Sequence, residues 1–338
     1  MKWLIGAFTI LATPAAAQTT PLFASDEPLK LTITGPLGDI ARTAERSVEP
    51  RDASLTLGGT AETYPIKLAP RGITRRKREI CTFPPLRVEF PQKPAATSLF
   101  AHQSRLKLVT HCRSSEDFQQ HLLLEYSAYR IFNLITPTSL KARLLAVDYV
   151  DPQAKRTTSR WGMFLEDYDD AAHRLGLTRA NVGDRVAANQ LQARQAATVA
   201  LFQYMIGNLD WSMRAGPAGE GCCHNSRLLA AKTPGLIPVP YDFDYSGLVD
   251  APYAAVPEGF KVESVRERSY QGYCWLNNDV IAVAAEFRAR RPAINALFGQ
   301  IPGMTERTAR NAVAYLNEFY AEIATDDSLR SKILKQCL

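Results

Sequence analysis

The hydrophobic pattern of this 338-residue chain changes its period partway along, and this change limits the folds that it can adopt. In the first third of the chain, apolar residues alternate with polar ones in short runs separated by Pro and Gly. A period of two is typical of strands with one buried face. It predicts strands at Leu29–Ile33, Ser54–Leu57, Tyr64–Leu68, Leu86–Phe90 and Arg105–Val109, and later at Leu144–Val150 and Trp161–Glu166. The first half is therefore expected to be mainly antiparallel sheet.

Apolar residues then recur at steps of three and four, which is the spacing of one helix face. The first such stretch follows the capping residues Ser114 and Ser115 and runs to about Phe132. From about residue 167 the chain is predicted to be mostly helical, with helices at Gln190–Ile206, Asn277–Arg290 and Thr305–Ala324. Gly207-Asn208 is expected to end the first of these in a left-handed cap.

Composition narrows the class of protein. The chain is 46% hydrophobic and 22% charged, which excludes a disordered polyelectrolyte, a collagen-like fibre and a small disulfide knot. The order of elements predicts a polar leader at 18–27, a strand-rich lobe at 28–166 and a helical lobe at 167–338. The formal charge of 40 − 34 = +6 is mild for this length, so no specific nucleic-acid partner is expected.

Residues 1–17 have the layout of a secretory signal peptide. Lys2 precedes an apolar run from Trp3 to Leu11, and Ala15-Ala16-Ala17 offers a cleavage site. No later apolar run is long enough to span a membrane, so no transmembrane segment is expected. We expect an exported protein, periplasmic or secreted, that is cleaved near Ala17.

Export favours disulfides among the six cysteines. Cys81 and Cys112 lie in the first half, and Cys222, Cys223, Cys274 and Cys337 in the second. The simplest expectation is one bridge in the first half and two in the second. Cys222-Cys223-His224 is an alternative zinc site, although it lacks the usual spaced ligand pairs.

Two acidic segments break the amphipathic pattern. Gly207-Asn208-Leu209-Asp210-Trp211 follows the long apolar helix, and Tyr241-Asp242-Phe243-Asp244 follows an apolar run, with Asn225 between them in sequence. Carboxylates flanked by aromatic residues are costly to bury without partners, and Mg²⁺ or Mn²⁺ prefers such oxygen ligands. The alternative is that Asp210 caps a helix while Asp242 and Asp244 lie in a tight turn.

The order Asp, Asn, Asp suits phosphoryl transfer. One carboxylate orients or deprotonates the attacking hydroxyl, while an Asn and a second Asp hold the metal on the nucleotide phosphates. A Lys on a strand contacts the phosphates and is held by a Glu from a helix; Lys107 and Glu125 have these positions. Taken singly, both residues are equally compatible with a solvated surface position.

These residues resemble the atypical kinases of the spore-coat CotH type and, more distantly, the HipA kinases. The resemblance covers about residues 28–250 and is strongest at Gly207-Asn208-x-Asp210-Trp211, Asn225 and Tyr241-Asp242-Phe243-Asp244. Pro70-Arg71-Gly72-Ile73-Thr74-Arg75 is similar to the Arg-Gly-x-Ser/Thr-Arg segment near the CotH N-terminus, and Trp161–Glu166 to the strand before the hinge.

The resemblance implies an α+β, protein-kinase-like bilobal fold with ATP and Mg²⁺ or Mn²⁺ between a strand-rich N-lobe and a helical C-lobe. Asp210 would be the catalytic residue, and Asn225, Asp242 and Asp244 the metal residues. The residues that would bind the nucleotide are Lys107, Glu125, Arg71 and Arg75. The family places its metal-binding Asn about five residues after the catalytic Asp, where this chain has Ala215, and no Gly-x-Gly-x-x-Gly loop precedes Lys107.

Three functions follow as alternatives. The first is an exported kinase that transfers the γ-phosphate of ATP to a Ser, a Thr or another hydroxyl, on a protein or a small molecule. The second is a kinase-like binding module without turnover, which the displaced Asn225 favours. The third is an unrelated exported metal-binding protein or hydrolase. The basic run Arg75-Arg76-Lys77-Arg78 is either a phosphate contact or a solvated surface.

Overall fold

The computed structural model describes residues 19–338, so the predicted signal peptide at 1–17 lies outside the described residues. Every strand predicted from alternation in the first half is present. The strands are β1 (Leu29–Thr34), β2 (Arg51–Leu57), β3 (Thr63–Pro70), β4 (Leu86–Glu89), β5 (Arg105–Val109), β6 (Ala142–Asp151) and β7 (Arg156–Leu165).

These seven strands form a closed mixed barrel in the order β1-β2-β3-β4-β5-β7-β6. Closure depends on β1, which pairs antiparallel with β2 on one side and parallel with β6 on the other. The parallel register aligns Leu29 with Leu145 and Thr34 with Val150. The barrel is mainly antiparallel, as expected. Its parallel pairing of β1 with β6, which closes the barrel and removes the free edges, is not predicted by the sequence pattern.

Alternate residues of each strand point into the barrel and form its apolar core. Leu31, Ile33, Leu55, Leu68 and Val88 are all fully buried there. Their polar neighbours face outwards, which is the arrangement that the period of two requires.

The protein-kinase-like bilobal fold implied by the CotH resemblance is wrong. The protein has a closed seven-stranded barrel with helices, and the expected strand-rich N-lobe facing a helical C-lobe is not shown in residues 19–338. The physical reason is the pairing of β1 with β6: alternation predicts that a segment is a strand but does not identify its partner strand. The proposed domain limits at 28–166 and 167–338 remain predictions.

The helices of the described residues are α1 (Leu37–Thr43), α2 (Glu116–Ile135), α3 (Tyr168–Arg174), α4 (Ala193–Ile206), α5 (Asn277–Leu297), α6 (Glu306–Glu322) and α7 (Asp326–Lys332). Four of these seven helices, α2, α4, α5 and α6, lie where the sequence predicts them, and the short helices α1, α3 and α7 are additional. Ser115 occupies the N-cap position of α2, but its side chain makes no capping hydrogen bond. Gly207 ends α4 with φ of 64°, which confirms the predicted left-handed cap.

A three-stranded sheet lies within the part predicted to be helical. It consists of β8 (Thr178–Arg179), β9 (Ser226–Ala230) and β10 (Leu236–Pro240), in the order β10-β9-β8. β9 and β10 form a short hairpin, and strands of five residues are too short for periodicity to distinguish them from helix. α2 and α4 pack beside this sheet and the barrel in one large core.

The six cysteines form three disulfides, Cys81–Cys112, Cys222–Cys223 and Cys274–Cys337. One bridge lies in the first half and two in the second, which confirms the expected distribution. Disulfides are typical of proteins in an oxidising compartment. Within residues 19–338, no helix is both long and apolar enough to cross a membrane.

Candidate functional site

The predicted site residues other than Glu125 line one cleft beside the barrel. Two adjoining cavities, of about 540 and 430 Å³, share Arg71 and Arg227 in their walls. Lys107 lines the first cavity, and Asp210, Asn225, Asp242 and Asp244 line the second, together with Arg75. We call the two cavities together the Arg71 cleft.

The turn after α4 positions Asp210. Gly207 reverses the chain in the left-handed region, and the Asn208 side chain then accepts the backbone N–H of Asp210 at 3.0 Å. Trp211 is buried and donates its indole N–H to the Asn208 carbonyl at 3.0 Å. The turn therefore fixes Asp210 at the cleft wall, with about a quarter of its side chain exposed.

Two residues from the next loop hold the Asp210 side chain. His224 Nε2 lies 2.6 Å from Asp210 Oδ1, and Asn225 donates to Asp210 Oδ2 at 3.0 Å and to its carbonyl at 2.7 Å. The hydrogen bond to Asp210 raises the pKa of His224 above its ordinary value. Both carboxylate oxygens thus have one partner each and retain a lone pair for an incoming hydroxyl.

Asp242 occupies a strained backbone position at the end of β10. Its φ is 63°, a left-handed conformation uncommon for any residue other than glycine. Its N–H donates to the Tyr129 hydroxyl of α2 at 2.9 Å. Such conformations persist where neighbours hold them, and they cluster at functional sites.

Arg75 is the buried cation of the acidic cluster. It reaches Glu125 at 3.5 Å, Asp242 at 3.2 Å and Asp244 at 3.3 Å, while only 10% of its own side chain is exposed. Burial raises the pKa of Glu125 to about 8 and that of Asp244 to about 6. A buried carboxylate is costly to ionise here, and the positive charge of Arg75 offsets part of that cost.

Lys107 lies on the cationic side of the cleft. Its Nζ is 5.0 Å from the centre of the Tyr241 ring, and the Arg227 guanidinium carbon is 5.2 Å from the same ring. Burial lowers the pKa of Lys107 to about 8, and the positive charge of Arg71 adds to this shift. The expected pairing of Lys107 with Glu125 is not among the ion pairs of residues 19–338, where the partner of Glu125 is Arg75.

The predicted metal residues do not form a metal site by themselves. No group of three or more His, Cys, Asp or Glu within the described residues could hold a metal ion by itself. Asn225 uses its amide N–H groups on Asp210, which leaves its oxygen as an acceptor, and Asp242 is one-third exposed beside it in the cleft wall. Mg²⁺ commonly takes one or two protein oxygens and completes its shell with phosphates and water.

Asp244 faces Arg75, so its role as a metal residue stays a prediction. The zinc alternative at Cys222-Cys223-His224 fails because the disulfide uses both sulfurs, which leaves no thiolate to bind zinc.

Sequence reasoning missed two residues of this site. No motif marks Arg227, although its position on β9 brings it to the wall shared by both cavities. The sequence suggests His224 as a zinc ligand, but its pairing with Asp210 depends on the path of the loop between them, which residue spacing does not predict. No family model matches this chain, and a search of curated proteins found no match.

Proposed function

We propose that the protein is an exported phosphotransferase that moves the γ-phosphate of ATP to a hydroxyl acceptor in the Arg71 cleft. One observation carries the proposal: the cationic wall of Arg71, Lys107 and Arg227 adjoins Asp210 and Asp242 through shared residues. Phosphoryl transfer needs these two kinds of group at adjacent positions. The proposal rests on the site residues and their likeness to CotH-type kinases, and not on a kinase fold.

The cations would bind the polyphosphate. Arg71, Lys107 and Arg227 line one cavity of about 540 Å³, a volume in the range of nucleotide-sized sites. Arg forks match phosphate oxygens in pairs, and Lys acts as a point charge. Binding of a phosphate would also favour the charged form of Lys107, whose pKa burial lowers to about 8.

Asp242 and Asn225 would hold Mg²⁺ or Mn²⁺ on the phosphates. The bound ion would neutralise charge that develops on the transferred phosphoryl group. Tyr129 fixes the backbone of Asp242 and Arg75 binds its Oδ1, so Oδ2 is the oxygen that would contact the metal.

Asp210 would act on the acceptor hydroxyl. The acceptor oxygen forms a bond to the γ-phosphorus while the bond to the β–γ bridging oxygen breaks, and ADP leaves. Asp210 takes the hydroxyl proton and later releases it to water. His224 and Asn225 orient the carboxylate for this step through their hydrogen bonds.

A binding module without turnover is the second candidate, and Arg75 favours it. Its guanidinium forms ion pairs with Glu125, Asp242 and Asp244 together, so each carboxylate already has a cationic partner before any metal arrives. In this alternative the cleft would bind a nucleotide, and Asp210 would have no acceptor hydroxyl to deprotonate.

Calorimetric titration of the oxidised protein with ATP and Mg²⁺ tests the binding step of both candidates. Lys107→Met and Arg227→Met should each weaken binding about tenfold, because each removes one phosphate contact. Lys93→Met changes the same charge on an exposed residue outside the cleft and should bind as the wild type does. Equal affinities in all four proteins would refute a nucleotide site in the Arg71 cleft.

A further inference from the structure

A separate cavity of about 410 Å³ lies at one end of the barrel and shares no lining residue with the Arg71 cleft. Its wall comes from α1, the end of β6, the start of β7 and the loops that follow β5 and precede β4. We call it the α1 cavity. Its size suits one small ligand.

The wall of the α1 cavity contains three aromatic side chains, two of which have unpaired polar atoms. The Phe83 ring stacks on His111 with centroids 4.8 Å apart, and Tyr149 contacts Phe83 edge-on at 5.0 Å. His111 and Tyr149 are 5% and 3% exposed. His111 Nδ1 and the Tyr149 hydroxyl have no hydrogen-bond partner among residues 19–338. Both atoms are closed to the cavity as well as to solvent, so His111 and Tyr149 contribute ring surface to the wall.

The rim of the cavity is positively charged. Arg42, Arg78 and Arg156 line it, and only Arg42 forms an ion pair in the described part of the chain, with Asp39 at 2.5 Å. Arg78 and Arg156 therefore retain their donors for an external anion.

Asp151 is the one acidic residue in the cavity wall, and its carboxylate is already engaged. It accepts backbone N–H groups from Gly38 at 2.7 Å and from Gln153 and Ala154 at 3.0 Å each. These bonds, with that of Gly38 first, lower its pKa and hold it as a structural anion that orders the β6–β7 turn. The rim thus remains positive beside a neutral aromatic wall.

We propose that the α1 cavity binds a small organic anion, with its apolar or aromatic body against Phe83 and Leu37 and its anionic group on Arg78 and Arg156. The chemical class is a monoanionic or dianionic molecule that bears a carboxylate or phosphate next to a ring or short apolar chain. The site is independent of the phosphotransferase proposal, because the two share no residue.

Phenyl phosphate is a suitable probe because it combines a ring with a dianion. Its affinity would be measured by calorimetry on the oxidised protein and on Arg78→Ala and Arg156→Ala, both of which change exposed side chains. We expect each variant to lose about tenfold in affinity, the usual effect of removing one charged contact. Arg46→Ala removes the same charge from an exposed residue after α1 that does not line the cavity, and it should leave the affinity unchanged.

Two further variants separate this site from the Arg71 cleft. Lys107→Met should weaken ATP binding and leave phenyl phosphate binding unchanged. His111→Phe keeps a ring against Phe83, so it should leave the affinity for phenyl phosphate unchanged. The proposal is overturned if phenyl phosphate does not bind at all, if Arg78→Ala and Arg156→Ala bind it as tightly as Arg46→Ala, or if Lys107→Met alone abolishes its binding.

Discussion

Replacement of Arg75 by Ala should destabilise the protein strongly and in a pH-dependent way. The side chain is nine-tenths buried and lies 3.2–3.5 Å from three carboxylates. At an effective dielectric constant of about 20, each such pair contributes roughly 5 kcal/mol of gross attraction, most of which desolvation offsets. Removal of one partner of a buried ion pair costs about 3–5 kcal/mol, and we expect that loss at pH 8.

The pH dependence follows from the carboxyl groups. Glu125 has an ordinary pKa of 4.5 that burial raises to about 8, so between these values the folded protein retains a proton that the unfolded chain releases. Its stabilising protonated form is lost as the pH rises through about 8. At pH 5 Glu125 is neutral and so is most of Asp244, whose pKa burial raises to about 6. Arg75→Ala then leaves fewer uncompensated charges, and its cost should fall to about 1–2 kcal/mol.

Urea unfolding of the oxidised protein at pH 5 and pH 8 measures both values, and urea does not screen charge as guanidinium does. Lys77→Ala removes an exposed cation two residues away and should change the free energy of unfolding by less than about 0.5 kcal/mol. The reasoning is refuted if Arg75→Ala costs less than about 1 kcal/mol at pH 8, or if its cost is equal at the two pH values.

Three other perturbations have defined outcomes. The affinity for ATP should fall between pH 7 and pH 9, because Lys107, with a pKa of about 8, loses its charge over this range. Lys107→Arg should bind ATP equally at both pH values. A parallel fall in both proteins would contradict the role of Lys107 as a phosphate contact. The double change Cys274→Ser with Cys337→Ser removes the disulfide that joins residue 337 to the 3-10 turn before α5, and it should lower the free energy of unfolding in urea by about 2–5 kcal/mol. A loss below about 1 kcal/mol would contradict a stabilising role for this disulfide. Gly207→Ala should lower the free energy of unfolding by more than about 1 kcal/mol, because a Cβ is strained at φ of 64°, and unchanged stability would refute the cap as described.

The sequence predicted the elements of this fold far better than their assembly. Alternating runs identified β1 through β7, and spacing of three and four identified α2, α4, α5 and α6. Both signals are local, since each depends on which face of one segment is buried. The parallel pairing of β1 with β6 joins residues more than one hundred positions apart, and no local pattern encodes it.

The candidate site shows the same limit at the level of side chains. Asp210, Asn225 and Asp242 lie together as their order along the chain suggested. The cation of the acidic cluster was not predictable in the same way, because Arg75 lies within a run of four basic residues. Arg75 is buried and Lys77 is exposed, and this difference arises from the path of the loop after β3 and not from residue type.

The most direct test of the proposed function combines ADP quantification with intact-mass spectrometry of the oxidised protein after incubation with ATP and Mg²⁺ or Mn²⁺. Asp210→Asn and Asp242→Ala remove the two central carboxylates, and Asp184→Asn changes an exposed Asp outside the cleft. The account predicts ADP release, with or without phosphate-sized mass increments, in the wild type and Asp184→Asn, and neither in the other two variants. A wild type that binds ATP but releases no ADP and gains no mass would contradict phosphoryl transfer and leave the binding module as the function of the cleft.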